Sequence, residues 1–209
     1  MRVLLLRHGQ TDLNVQKRLQ GSSDIPLNER GRTQARETKK LLEELGIHVT
    51  KILSSPLERA IETGSLATGI PMEAIETEQN LIEMSFGVYE QKNMNEENPQ
   101  FLVDCFDQPE TYQPPVGGES YDEVLARAKS IIEKVRSMIA NGTLEEDDTL
   151  LLVSHGALSH AIFEYIKNTP RSAYWDVDFN NCAIAELFIT TDGTADDYRF
   201  ISEGFEKNW

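Results

Sequence analysis

The chain has 209 residues, 39% of them hydrophobic, and a formal net charge of −15. That length suits one α/β domain and is short for two domains with a linker, while the negative charge opposes binding to nucleic acid or to an anionic membrane surface. The N-terminal apolar stretch, Val3–Leu6, is too short for a signal peptide or a membrane span, and Cys105 and Cys182 fit neither a disulfide framework nor a metal-binding spacing, so a cytoplasmic protein with two incidental thiols is expected.

Val3-Leu4-Leu5-Leu6-Arg7-His8-Gly9 is an unbroken apolar run ending in a turn signal, the pattern of a strand buried on both faces of a parallel sheet. A polar loop, residues 9–28, follows, and Asn28 opens a helix whose apolar stripe stops at Gly46. Lys51–Ser54 reads as the next strand. Ser55-Pro56-Leu57-Glu58 has the form of a capping box with proline at the first helical position, which puts Arg59 in the first turn of a second helix. A short strand is expected near Ile75–Glu78. Residues 89–118 are polar, with scattered aromatics and prolines, and predict a lid of short helices and loops. From Ser120 to Asn141 apolar residues recur at helical spacing. Leu150-Leu151-Leu152-Val153-Ser154-His155-Gly156 then repeats the first strand's pattern, a helix runs over Ala157–Lys167, and Ala183–Ile189 and Tyr198–Ser202 read as strands. Two strands that each end in His-Gly deliver two imidazoles, one beside an arginine, to the sheet edge where open α/β folds bind ligands. That arrangement points to nucleophilic chemistry on an anion.

The ordered set Leu6-Arg7-His8-Gly9-Gln10-Thr11, Asn14, Gln20-Gly21, Asp24–Gly31, Ser54–Ala60, Glu83–Gly87 and Ser154-His155-Gly156 resembles the histidine phosphatase superfamily, the phosphoglycerate-mutase-like group. The resemblance implies a three-layer α/β sandwich with a mostly parallel central sheet flanked by helices, over residues 1–209. It marks His8 as a nucleophile that attacks phosphorus, Arg7, Arg59 and His155 as donors to the phosphoryl oxygens, and Glu83 as the general acid. Physical chemistry agrees. Guanidinium groups suit charge spread over three phosphoryl oxygens, nearby cations keep His8 neutral, and an imidazolium at His155 would be stabilised by the bound anion. Asn14 is expected to add a neutral donor and Gly156 a contact with the substrate, Gly9 to let the backbone pass close to the ligand, and Gln20 and Gly21 either to touch the ligand or to shape its loop. The scheme needs no metal and no cofactor. Its partner is a small phosphorylated metabolite; the number of subunits, one or several, is open.

Many relatives carry Glu at Gln10, Trp-Glu-Gly at Tyr89-Glu90-Gln91, and different residues at Ala157 and His160. A mutase that depends on a bisphosphorylated cofactor has a longer, basic insertion after its general acid. From Tyr89 to Pro115 this chain has one basic residue, Lys92, among six acidic ones, which favours a metal-independent phosphatase over a mutase. The Gly117-Gly118-Glu119-Ser120 segment resembles the phosphatase branch. A phosphate-binding scaffold without turnover is the reading of a different class, opposed by the presence of nucleophile, clamp and acid together.

Overall fold

The structure is a computed structural model, and it describes residues 1–205; residues 206–209 of the expected domain lie outside the described residues. Strands β1 (Arg2–Arg7), β2 (Lys51–Ser54), β3 (Glu76–Thr77), β4 (Thr149–Ser154), β5 (Ile184–Phe188) and β6 (Asp197–Ser202) form one sheet in the order β3-β2-β4-β1-β5-β6. The first four are mutually parallel; β5 runs antiparallel to both β1 and β6. Alternation along β1 and β4 fills both faces. Val3, Leu5, Leu150 and Leu152 pack with Val124, Ala128 and Ile131 of α6 (Tyr121–Ala140) and with Ala161 of α7 (Gly156–Lys167). Leu4, Leu6, Leu151 and Val153 pack on the other face with Ala35 and Leu42 of α2 (Glu29–Glu44) and with Ala60 and Ala67 of α3 (Glu58–Thr68). The unbroken apolar runs Val3–Leu6 and Leu150–Val153 in these strands therefore produce the three-layer arrangement that the sequence predicts.

Local signals set most helix starts. Asn28 caps α2 by accepting the Gly31 amide at 2.8 Å, and Ser120 and Glu123 form the capping box of α6. The expected box at Ser55–Glu58 does not form. The helix starts at Glu58, outside the reach of Pro56, with no cap from the Leu57 side chain. Its first amide, that of Glu58, donates instead to Asp24 from the β1–α2 loop at 2.9 Å. Gly9 also serves the packing of α2. A Cβ there would lie 2.6 Å from the Gly31 carbonyl oxygen, and one on Gly31 would lie 2.1 Å from that of Gln10, so these glycines let α2 approach the backbone after β1.

The β1–α2 loop carries the one-turn helix α1 (Asp12–Val15). Residues 89–118 contain α4 (Met94–Glu97), α5 (Pro99–Leu102) and a π-helical turn, Val103–Asp107. This excursion is anchored: Met94, Phe101, Cys105 and Tyr112 are buried in the same core as Tyr121 and Val124 of α6. Among the described residues no helix is long and apolar enough to cross a membrane.

Candidate active site

Register brings the two histidines together. Arg7 of β1 pairs with Ser154 of β4, so His8 and His155 leave adjacent parallel strands at the same edge, with ring centroids 5.0 Å apart. The turn after β1 is held by the His8 amide donating to Ser154 O at 3.0 Å and by Asn181 Nδ2 donating to His8 O at 2.9 Å. His8 Nδ1 lies 2.6 Å from Gly9 O, which assigns the ring proton to Nδ1 and leaves a lone pair on Nε2. Burial, then the charges of Arg59 and Arg7, hold this imidazole well below its usual range.

Arg59, fully buried in the first turn of α3, donates through Nη1 to Ser23 O at 2.7 Å and through Nη2 to Gly21 O at 2.8 Å. Burial pushes it down to about 10, so it remains cationic at neutral pH. Arg7 donates through Nη1 to Phe179 O at 2.7 Å. Each guanidinium thus fixes a neighbouring loop with one edge. Three buried donors remain without a hydrogen-bond partner among the described residues: Arg7 Nε, Arg59 Nε and His155 Nδ1. A buried donor left unpaired costs about 1–3 kcal/mol, and a multi-oxygen anion satisfies several at once.

His155 is uncharged before an anion binds. Burial first, then Arg59, His8 and Arg7, hold it well below its usual range, so in the protein alone the ring is neutral rather than an imidazolium. Its Nε2 lies 2.7 Å from Ser55 Oγ. Ser55 Oγ also accepts the Leu57 amide at 3.3 Å, and no other acceptor is hydrogen-bonded to its hydroxyl among the described residues; the tautomer that uses this proton toward Nε2 puts the imidazole proton on the unpaired Nδ1. Ser55, the presumptive cap in the sequence, is a partner of the second histidine.

Glu83 sits across the edge of the sheet, against the N-terminus of α7. Its carboxylate accepts the amides of Ala157 and Leu158, each at 3.2 Å, and of Met84 at 2.9 Å. Arg127 of α6 fixes the segment that carries it, donating through Nη1 to Asn80 O at 2.9 Å and Ile82 O at 2.7 Å. The other edge of Arg127 pairs with Glu119, which accepts the Ser85 amide at 2.9 Å. The chain on both sides of Glu83, at Ile82 and at Ser85, is therefore tied to one ion pair.

Arg7, His8, Asn14, Gln20, Gly21, Arg59, Glu83 and Gly156 line one cavity of about 660 Å³; His155 touches His8 but is not itself on the wall. Asn14, which lines the cavity, accepts the Thr11 amide through Oδ1 at 3.0 Å, so the donor atom of its side chain is Nδ2. Gln20 accepts Thr11 Oγ1 at 2.8 Å and Gly21 adopts a φ of 56°, so both shape the loop as well as lining the site. Glu90 braces that loop from the far side: it accepts the amides of Ser22 and Ser23, each at 2.9 Å, and of Phe86 at 3.1 Å. A Cβ on Gly156 would lie 3.4 Å from Arg7 Cζ, so a side chain there would crowd the clamp. Among the described residues no three His, Cys, Asp or Glu side chains converge as a set of metal ligands.

The sequence profile described as histidine phosphatase superfamily (branch 1) matches residues 3–197. The chain belongs to that superfamily. As a branch 1 histidine phosphatase it is 30% identical, over 190 residues, to a protein of Escherichia coli O1:K1 named probable phosphoglycerate mutase GpmB, covering 90% of this chain and 84% of that one. Bacillus stearothermophilus YhfR superposes with a TM-score of 0.80 at 28% identity, over 99% and 98% of the two chains. A mycobacterial glucosyl-3-phosphoglycerate phosphatase superposes with a TM-score of 0.72 at 25% identity, over 96% and 97%. These likenesses support an enzyme of the phosphatase or mutase type.

Proposed function

We propose that this histidine phosphatase hydrolyses small phosphomonoesters by way of phospho-His8, without a metal. The observation that carries the proposal is the lone pair on His8 Nε2 in one site with three buried nitrogens, Arg7 Nε, Arg59 Nε and His155 Nδ1, that have no hydrogen-bond partner among the described residues. In the first transfer Nε2 forms a bond to phosphorus while the ester P–O bond breaks, and protonated Glu83 delivers its proton to the departing oxygen. The Nε proton of each arginine, His155 Nδ1–H and the Asn14 amide meet the charge that spreads over the phosphoryl oxygens. In the second transfer a water molecule gives a proton to the Glu83 carboxylate, its oxygen attacks phosphorus, and the N–P bond breaks to release inorganic phosphate.

Hydrolysis is favoured over mutase chemistry by the electrostatics of residues 89–115. Their one basic side chain, Lys92, is held 3.4 Å from Glu97 and does not line the cavity, so this segment supplies no cation for a second anionic group. Incubation with a ³²P-labelled phosphomonoester is expected to give an acid-labile, base-stable label that is absent in His8→Ala, with release of inorganic phosphate unaffected by chelators. Label that persists in His8→Ala removes His8 from the role. Conversion of 3-phosphoglycerate to its isomer, dependent on 2,3-bisphosphoglycerate and faster than phosphate release, makes the enzyme a mutase. Inactivity toward every phosphomonoester from pH 5 to 8 makes it a binding protein.

A further inference from the structure

The cavity is far larger than a phosphoryl group, and its two ends differ in kind. At the end lined by Arg7 and Arg59, with His155 in contact with His8, buried nitrogens lack hydrogen-bond partners among the described residues. At the other end Leu102, Val103 and Phe106, from α5 and the π-helical turn, face Trp175 and Val177, from the segment after α7. The Phe106 and Trp175 rings lie with centroids 5.1 Å apart. Polar atoms in this wall are already engaged inside the protein. Trp175 Nε1 donates to Cys105 O at 3.0 Å and to Tyr121 Oη at 2.9 Å. His160, buried at the same wall, has Nδ1 2.8 Å from Gly156 O and Nε2 3.0 Å from Val177 O. Neither ring offers a free donor to a ligand.

Charge acts in the same direction. Asp107 and Asp178 lie exposed on the rim, and Lys17 is the one cation among the described lining residues besides Arg7 and Arg59. A carboxylate carried by the leaving group would lose water against carbon and meet two like charges, leaving Lys17, the one cation beyond the two arginines, and neutral amides such as those of Asn95 and Asn180 to serve it. An aryl or branched alkyl group would lose only unfavourable contact with water.

Resting on the phosphomonoesterase reading, we infer that the site prefers phosphomonoesters of uncharged, hydrophobic alcohols or phenols over esters whose alcohol carries a carboxylate. The test compares phosphate release from 2-phenylethyl phosphate, glycerol 1-phosphate, 3-phosphoglycerate and O-phosphoserine, all alkyl esters, so that leaving-group basicity contributes little to the ranking. The expected kcat/KM for 2-phenylethyl phosphate is about tenfold or more above that for 3-phosphoglycerate, the scale of burying a ring in an apolar site. Phe106→Ala is expected to shrink the ratio of 2-phenylethyl phosphate to glycerol 1-phosphate severalfold. Equal or better turnover of 3-phosphoglycerate or O-phosphoserine overturns the inference and leaves the phosphatase reading intact. Calorimetric binding of 2-phenylethylphosphonate and 2-carboxyethylphosphonate separates the two in the other direction. Tighter binding of the phenyl compound, with no phosphate release and no phosphoenzyme, supports the preference and defeats the phosphatase; tighter binding of the carboxylate defeats the preference whatever the turnover.

Discussion

Arg127→Met tests whether the segment around Glu83 is held for catalysis or only for stability. Arg127 donates to Asn80 O and Ile82 O, and its other edge pairs with Glu119, the two side chains being 16% and 25% exposed. Hydrogen bonds from a charged donor contribute about 1.5–3 kcal/mol each and do not add fully, so the loss of folding stability is expected near 3 kcal/mol, within reach of a urea titration. The kinetic effect has a separate signature. A general acid supplies about 10²–10⁴ in rate, and a displacement of about 1 Å forfeits about 10² of it. For alkyl phosphates, whose leaving oxygen needs a proton, kcat/KM, which reports formation of the phosphoenzyme, is expected to fall about 100-fold in Arg127→Met and further in Glu83→Gln. For 4-nitrophenyl phosphate, whose phenolate departs without one, the fall in kcat/KM is expected to stay below about threefold, while kcat falls for both substrates because Glu83 is also the base of the second transfer. Arg127→Lys keeps the charge but not the planar fork, and is expected to lie between. Rates measured at a temperature where each variant is fully folded decide the matter. An equal fall in kcat/KM for both leaving groups would mean that Arg127 acts on the phosphoryl site or on the fold as a whole, and no fall would mean that Glu83 is positioned without it.

Three further outcomes follow from the geometry. Ser55→Ala removes the donor that fixes the proton of His155 on Nδ1, so kcat/KM is expected to drop about tenfold or more for alkyl and aryl substrates alike, an unchanged value showing that the 2.7 Å bond does not set the tautomer. Gln91 adopts a φ of 64°, at the position where relatives carry glycine; its amide bond to Leu19 O at 2.6 Å does not depend on the side chain. Gln91→Gly is therefore expected to gain about 0.5–1 kcal/mol and raise Tm by a couple of degrees, and a lower Tm would refute the account of strain. His8, His155 and His160 are all held below their usual range, chiefly by burial. The unfolded chain then binds more protons than the folded one as pH drops below about 6.5, so stability should fall with pH from there down to the folded-state values, by up to about 1.4 kcal/mol per pH unit for each histidine. NMR titration of the imidazole protons checks this: His8 and His155 should stay neutral well below the usual histidine range and His160 should titrate below it, and a midpoint near 6.5 for His8 would contradict the burial argument.

What the sequence reveals and what it hides divide along one physical line. The apolar runs of β1 and β4 and the stripes of α2 and α6 are signals within a single element, and the shared edge of His8 and His155 follows once two parallel strands of equal pattern are neighbours. Pairings between elements leave no such trace. Ser55 and His155 are 100 residues apart, and the local pattern around Ser55 is a better match to a helix cap than to a histidine partner. The same competition moved the start of α3: Asp24, on a distant loop, supplies the acceptor that the Ser55–Glu58 box was expected to provide, because Ser55 Oγ is drawn to the imidazole. Glu90 lies in a stretch that departs from the family pattern and reads as a lid entrance, yet its carboxylate braces the Ser22–Ser23 backbone that Arg59 grips from the other side. Arg127 has the spacing of an ordinary polar position on an amphipathic helix, and only the fold brings it 2.7 Å from Ile82 O. Groups proposed to touch phosphate are carried by motifs, because the chemistry restricts residue type. Groups that hold those groups in place need only a donor or an acceptor of the right reach, so many sequences satisfy the requirement and no single pattern marks it.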